Sequence, residues 1–267
     1  MIDLHCHILP GIDDGPSTMV EALAMCRGAV ADGIRTIVAT PHYNPGCFIW
    51  SAAEQQSALT ALQNEIDSAS LPLTLLAGAE MAFVPDLAAL VKNDSHLTIN
   101  RSNYFLLEFR PQAVPATIEQ YLNSMIVSGF VPIIAHPERN PWFTHRHDVL
   151  TALVRRGALL QITAASLLGE FGTAVRTFCQ QLLRNNLVHI IASDAHNSAD
   201  RPALLSAAVR CAAEQIGEER ATALVSANPL AVINGTRLIV SEPPGYLTTE
   251  PPQQPASWLR RLLGYSS

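Results

Sequence analysis

Seven short apolar runs alternate with seven longer helix-like stretches along most of this 267-residue chain. The runs are residues 2–6, 34–40, 73–79, 103–109, 130–136, 158–163 and 187–193; the stretches are about 18–32, 52–69, 84–92, 115–128, 146–156, 170–185 and 201–215. In the second stretch Leu59, Leu62 and Ile66 recur at helical spacing. Repeated strand–helix alternation predicts an α/β fold with a parallel sheet, most economically closed into a barrel. Eight strands would be usual, so seven predict a distorted (β/α)7, TIM-like barrel.

Composition sets the compartment and narrows the partners. With 48% apolar residues the chain can bury one substantial core. Its net charge of −6 and the lack of a basic stripe argue against a nucleic-acid substrate. The five cysteines, at 6, 26, 47, 179 and 211, form no CxxC pair and suit reduced thiols. No basic and apolar leader precedes the first run and no run is long enough to span a bilayer, so the expectation is a soluble, cytoplasmic protein without stable membrane insertion. The texture changes after residue 240. Residues 1–240 read as one domain, and 241–267 as a linker with five prolines followed by a short amphipathic tail, Trp258-Leu-Arg-Arg-Leu-Leu263.

The chemistry is concentrated where the runs stop. The first ends in His5-Cys-His7, with Asp13-Asp14-Gly15 in the next loop; the second delivers His42; the third ends at Glu80. The fourth ends at Glu108, the fifth at His136, and the seventh at Asp194-Ala-His196. Alternate residues of a strand share a face, so His5 and His7 point the same way and Cys6 points into the core. In an α/β barrel the carboxyl ends of the strands converge on one face, where active sites are built. Only the sixth run, ending Ile162-Thr163, brings no comparable group. His189 lies early in its run and reads as structural; His145 and His147 sit in a polar loop, and His96 in a polar turn.

Five imidazoles and four carboxylates (counting Asp14) exceed what one ion takes, so two or three divalent cations are implied, with a carboxylate such as Glu80 bridging. Mixed N and O donors without thiolate suit manganese, zinc or iron. Arg139 follows His136, and Arg201 follows His196; guanidinium matches phosphoryl oxygens, although Glu138 and Asp200 offer each a loop salt bridge instead. The expected reaction is phosphomonoester hydrolysis by metal-activated hydroxide, without a covalent intermediate. A cysteine phosphatase needs Cys, five residues, then Arg. The position in question holds Ile12, Asp32, Ala53, Asn185 or Gly217.

His5-Cys-His7, Asp13-Asp14-Gly15, Ala39-Thr-Pro-His42, Gly78-Ala-Glu80, Leu107-Glu108-Phe, Ala135-His136-Pro-Glu-Arg139 and Ala192-Ser-Asp194-Ala-His196 together resemble the polymerase-and-histidinol-phosphatase (PHP) superfamily. More narrowly they resemble its bacterial protein-tyrosine phosphatases of capsule and exopolysaccharide synthesis, over residues 1 to about 235. That resemblance implies the PHP fold and a trinuclear, usually manganese-dependent site. By it His5, His7, Asp14, His42, Glu80, Glu108, His136, Asp194 and His196 are metal ligands, and Arg139 and Arg201 contact phosphate. It also implies a phosphotyrosyl protein substrate, the tail of an autophosphorylating bacterial tyrosine kinase. Phe48 or Trp50 could face the aromatic leaving group. Other PHP phosphoesterases (a histidinol-phosphate phosphatase, a nuclease) and a non-catalytic metal-bearing regulator of polysaccharide export are the alternatives. Homo-oligomer formation is left open.

Overall fold

The structure is a computed structural model and describes residues 1–110 and 114–238; the proline-rich stretch and the Trp258–Leu263 patch lie outside the described residues. Its strand segments are β1 (Ile2–Cys6), β2 (Thr36–Ala39), β3 (His42–Tyr43), β4 (Thr74–Ala77), β5 (Glu80–Ala82), β6 (Tyr104–Glu108), β7 (Val131–Ala135), β8 (Leu159–Thr163) and β9 (Ile190–Ala192). Every ladder between them is parallel, in a three-stranded sheet β1-β2-β4 and a six-stranded sheet β3-β5-β6-β7-β8-β9.

The distortion expected of a seven-strand ring has a definite place. The second and third expected strands stop at Ala39 and Ala77, and after splits at Thr40-Pro41 and Gly78-Ala79 the chain forms the short strands β3 and β5, which lie outside the expected runs 34–40 and 73–79. Pro41 has no N–H to give to a ladder. At Gly78 a Cβ would stand 2.8 Å from Val38 Cγ1, so only glycine lets the backbones approach. Because of the splits, β2 pairs with β4 in one sheet and β3 with β5 in the other, and the sheets continue into each other through the chain. At the far seam, β1 and the residues after β9 are joined by a parallel bridge between Cys6 and Ala195. His7 N–H donates to Ala195 O and Asp194 N–H to His5 O, both at 2.8 Å. The buried Asp3 carboxylate reinforces this seam by accepting from Ser193 N–H at 3.0 Å.

Period-two alternation sorts the side chains into two layers. Leu106, Ile133, Ile190 and Ala192 join Leu4 and Val38 in an inner apolar cluster, which Val232 and Ile233 also enter. Phe105, Leu107, Ile134, Leu160 and Ile191 face outward into the main core under the helices. Glu108 follows Leu106 by two residues, and Asp194 follows Ala192 by two, so the inner face of these strands turns polar at their carboxyl ends. β1 departs from simple alternation: its register against β2 shifts between Asp3 and Cys6, and Leu4 belongs to the inner cluster.

Helices Met19–Ala31, Ala52–Ser68, Leu87–Asn93, Ile118–Val127, His147–Arg155 and Thr173–Arg184 lie within a few residues of the expected stretches. Ser51 and Glu54 form a reciprocal capping box that starts the second of them. The last expected helix begins later than the sequence suggests, at Ser206, where Asp32 accepts its first amides. Helices Glu218–Ala223 and Ala227–Ile233 are additions beyond the expected set. Among the described residues, no helix is long and apolar enough to cross a membrane.

Candidate metal centre

The nine residues expected as metal ligands meet at the carboxyl ends of the strands, around one buried carboxylate. Glu80, the first residue of β5, is buried. Its Oε2 lies 3.0 Å from His42 Nδ1, 3.3 Å from His7 Nε2 and 3.4 Å from His5 Nε2; its Oε1 lies 2.9 Å from His136 Nε2. Burial alone would raise the pKa of Glu80, but the surrounding imidazoles, His5, His136 and His42, outweigh it and hold the carboxyl well below its ordinary range.

Asp194 forms a second focus. Its Oδ1 is 3.5 Å from His5 Nε2, 3.6 Å from His7 Nε2 and 3.7 Å from His196 Nδ1. On the rim, Asp14 Oδ1 stands 3.4 Å from His196 Nε2 and 3.6 Å from His42 Nε2, and Glu108 Oε1 stands 3.9 Å from His136 Nε2. Three sets of donors lie close enough to share an ion: His7, Asp14, His42 and His196; His5, His7 and Glu80; and His42, Glu80 and Glu108. His136 and Asp194 carry the left-handed φ values +29° and +53° just beyond β7 and β9. Such a backbone is costly for residues with a Cβ and is found where a site needs a side chain re-aimed.

The donors themselves argue for cations. His5 Nδ1 hydrogen-bonds Gln161 Oε1 at 3.0 Å, and His7 Nδ1 hydrogen-bonds Asp13 Oδ2 at 2.6 Å, so both rings commit their Nδ1 protons outward. Their Nε2 lone pairs then face each other at 3.1 Å. Two lone pairs at that distance repel unless a proton or a cation lies against them. Burial opposes a proton on His7, but the Asp13 and Glu80 carboxylates beside it prevail and raise its pKa well above the ordinary value. His136, likewise opposed by burial, is raised to about 9 through Glu80. Glu80 Oε2 is fully buried without a hydrogen bond of good geometry. A cluster that gathers protons where metals would bind, and leaves a carboxylate oxygen unsatisfied among imidazoles, fits divalent cations.

Arg139 and Arg201 stand at the edge of this cluster, each with a side chain 29% exposed. Their partners are not the neighbouring acids weighed from the sequence. Arg139 Nη1 and Arg201 Nη2 both pair with Asp194 Oδ2, the latter at 2.6 Å. Glu138 instead turns inward and accepts Thr163 N–H at 2.9 Å. Trp50 also requires a correction. It is buried in the main core and donates Nε1–H to His42 O at 2.8 Å, so it supports a candidate ligand from behind and cannot face a substrate. Phe48 does flank the site, its ring stacked 5.7 Å from that of His42.

Two supporting roles escaped the sequence reading, that of Asp13, named there only within Asp13-Asp14-Gly15, and that of Gln161. Asp13 also accepts His42 N–H at 2.8 Å, tying two candidate ligands together. Gln161 sits on β8, the strand without a ligand, and signals itself only as a polar residue paired with Thr163 inside Leu159-Leu-Gln-Ile-Thr163. Cys6 is buried in the core, and His189 is buried with Nδ1 accepting Leu160 N–H at 3.0 Å, the structural role expected of it.

Relatives of known structure carry the same architecture. A chain from the solved structures of YwqE from Bacillus subtilis and CpsB from Streptococcus pneumoniae, described as metal-dependent tyrosine phosphatases, superposes with a TM-score of 0.86 at 34% identity, covering 91% of this chain and 98% of its own. In sequence, the tyrosine-protein phosphatase YwqE of Bacillus subtilis is 36% identical over 244 residues, 91% of this chain and 95% of the relative. The tyrosine-protein phosphatase CpsB of Streptococcus pneumoniae is 30% identical over 240 residues, 87% of this chain and 98% of the relative. A histidinol phosphate phosphatase from Lactococcus lactis shares the fold alone, with a TM-score of 0.52 at 14% identity over 82% of this chain and 93% of its own. The sequence model of the family "Capsular polysaccharide synthesis, CpsB/CapC" matches residues 1–234, and the chain belongs to that family.

Proposed function

We propose that this chain is a divalent-metal-dependent protein-tyrosine phosphatase of capsular polysaccharide synthesis. The observation that carries the reading is the convergence of five imidazoles and four carboxylates beside two partly exposed arginines. His5, His7, Asp14, His42, Glu80, Glu108, His136, Asp194 and His196 would hold the cations, three of them by the family likeness. Manganese is the preferred metal, with zinc or iron as substitutes. Bound divalent cations supply charge neutralisation and water activation at neutral pH.

The chain's own residues do the rest. Gln161 and Asp13 fix the ring orientation of His5 and His7 through their Nδ1 atoms. Arg139 and Arg201, held on Asp194 in the free protein, can exchange that carboxylate for phosphoryl oxygens and offset charge in the transition state. A covalent cysteine intermediate has no support: Cys6 is buried and faces the core, and no cysteine begins a Cys-x5-Arg loop. The proposed substrate is a phosphotyrosyl protein, specifically an autophosphorylating bacterial tyrosine kinase acting in polysaccharide export. The free state of all five cysteines supports a reducing, cytoplasmic setting.

The test is a substrate profile on manganese-loaded protein with a phosphotyrosyl peptide, histidinol phosphate and an oligonucleotide. Turnover should be greatest on the peptide and should disappear with chelation and with His136→Ala. Preference for histidinol phosphate, or full activity in metal-free protein, would overturn the reading.

A further inference from the structure

β8 is the strand whose end brings no candidate ligand, and the turn beyond it reaches the site in another way. After the short helix Ala164–Leu168, a turn is closed by Gly172 N–H donating to Gly169 O at 2.9 Å. Both glycines have left-handed φ values, +96° and +93°, which residues with a Cβ rarely adopt. Between them Phe171 is left 37% exposed. Arg139 lies over that ring, its Cζ 4.6 Å from the centroid. Phe171 also lines a small cavity together with Arg201, Ser193 and Thr163. One ring therefore stacks with one of the arginines assigned to phosphate and shares a cavity wall with the other.

We propose that Phe171 is a positioning residue that holds the Arg139 guanidinium oriented at the mouth of the site for an incoming phosphoryl group. The proposal rests on the phosphatase reading above and names the residue that orients its anion contact. Guanidinium presents its N–H donors in its plane and a weakly hydrated face above and below. Asp194 uses the donors, so it competes with phosphate for them. A neutral ring uses only the face, and leaves the donor edge available to phosphoryl oxygens. The separation is within the range, up to about 6 Å, at which such stacking attracts. An arginine steadied in this way has less side-chain freedom left to lose when the anion arrives.

The experiment is calorimetric titration of inorganic phosphate into manganese-loaded protein. Phe171→Ala, Phe171→Leu and Phe171→Trp are compared, each with Arg139 intact and with Arg139→Ala. Loss of the pre-ordering of one long side chain predicts phosphate affinity weakened about 2- to 5-fold by Phe171→Ala and by Phe171→Leu, and retained by Phe171→Trp. In the Arg139→Ala background the same changes should have no effect, and bound metal and melting temperature should stay at wild-type values in the Phe171 variants. Wild-type affinity in Phe171→Ala, retention by Phe171→Leu, or an equal loss without Arg139 would each overturn the assignment. Failure of the phosphatase reading looks different: wild-type protein would then bind no phosphate at all.

Discussion

Replacing Asp13 by asparagine should weaken divalent-metal binding while leaving every candidate ligand in place. Asp13 Oδ2 sits 2.6 Å from His7 Nδ1, on the side of the ring away from the cluster. Adding the width of the ring and a metal–nitrogen bond of about 2 Å puts the Asp13 charge about 6 Å from an ion on Nε2. At an effective dielectric constant of about 20, removing one charge from a dication at that distance costs roughly 5 kcal/mol. Asp13 also stabilises the proton that His7 carries in the metal-free protein, and releasing that single charge returns about half. The net loss is about 2 to 3 kcal/mol, roughly 30- to 140-fold in affinity, at the upper end of the effect of other groups that hydrogen-bond metal-ligating histidines. Competition against a chromophoric chelator measures it directly. The gap between variant and wild type should widen as pH rises, because wild-type protein then has no proton to displace. Wild-type affinity in Asp13→Asn, or a gap that narrows with rising pH, would refute the reasoning.

Three further outcomes follow from buried groups. Manganese should raise the melting temperature of wild-type protein more than that of Glu80→Gln, since the central carboxylate faces four imidazoles while His7, Asp14, His42 and His196 remain as a donor set without it; an equal rise in both would remove Glu80 from the site. Trp50→Ala should cost about 3 to 5 kcal/mol in chemical denaturation and lower turnover of phosphotyrosyl peptide and a small alkyl phosphate in parallel, since the indole is buried behind His42; a selective loss on the peptide would restore it as a substrate contact. Burial lowers the pKa of His189 to about 4, so its neutral form favours the fold above pH about 6.5, and that contribution falls away as pH drops toward 4. In metal-free protein His189→Asn should remove up to about 3 kcal/mol of this acid loss, and an unchanged pH slope would count against it.

The gathering of nine side chains was legible in the sequence because strands mark their own ends. An apolar run that stops at His5, Glu108, His136 or Asp194 states both the element and the edge where its polar group will lie. Interruptions within a run carry a weaker signal. The β2–β3 split at Thr40-Pro41 and the β4–β5 split at Gly78-Ala79 depend on which neighbour each segment pairs with, a long-range property. The same holds for the supporting residues: Asp13 acquires its role from His7 and His42, and Gln161 from His5, partners that no local period announces. Trp50 misled for the opposite reason, since an aromatic residue in a loop after a ligand looks available until packing places it in the core.

The seam that Asp3 makes with Ser193 joins residues 190 positions apart, and candidate ligands stand on both sides of it. During synthesis, therefore, His5 and His7 emerge long before Asp194 and His196 exist to complete the cage. A growing chain offers only fragments of a binding set, too few to discriminate one ion from another. Capture of cations by the whole candidate set would belong to the finished polypeptide, and an ion held there would act as a clasp between the first and last of the described strands.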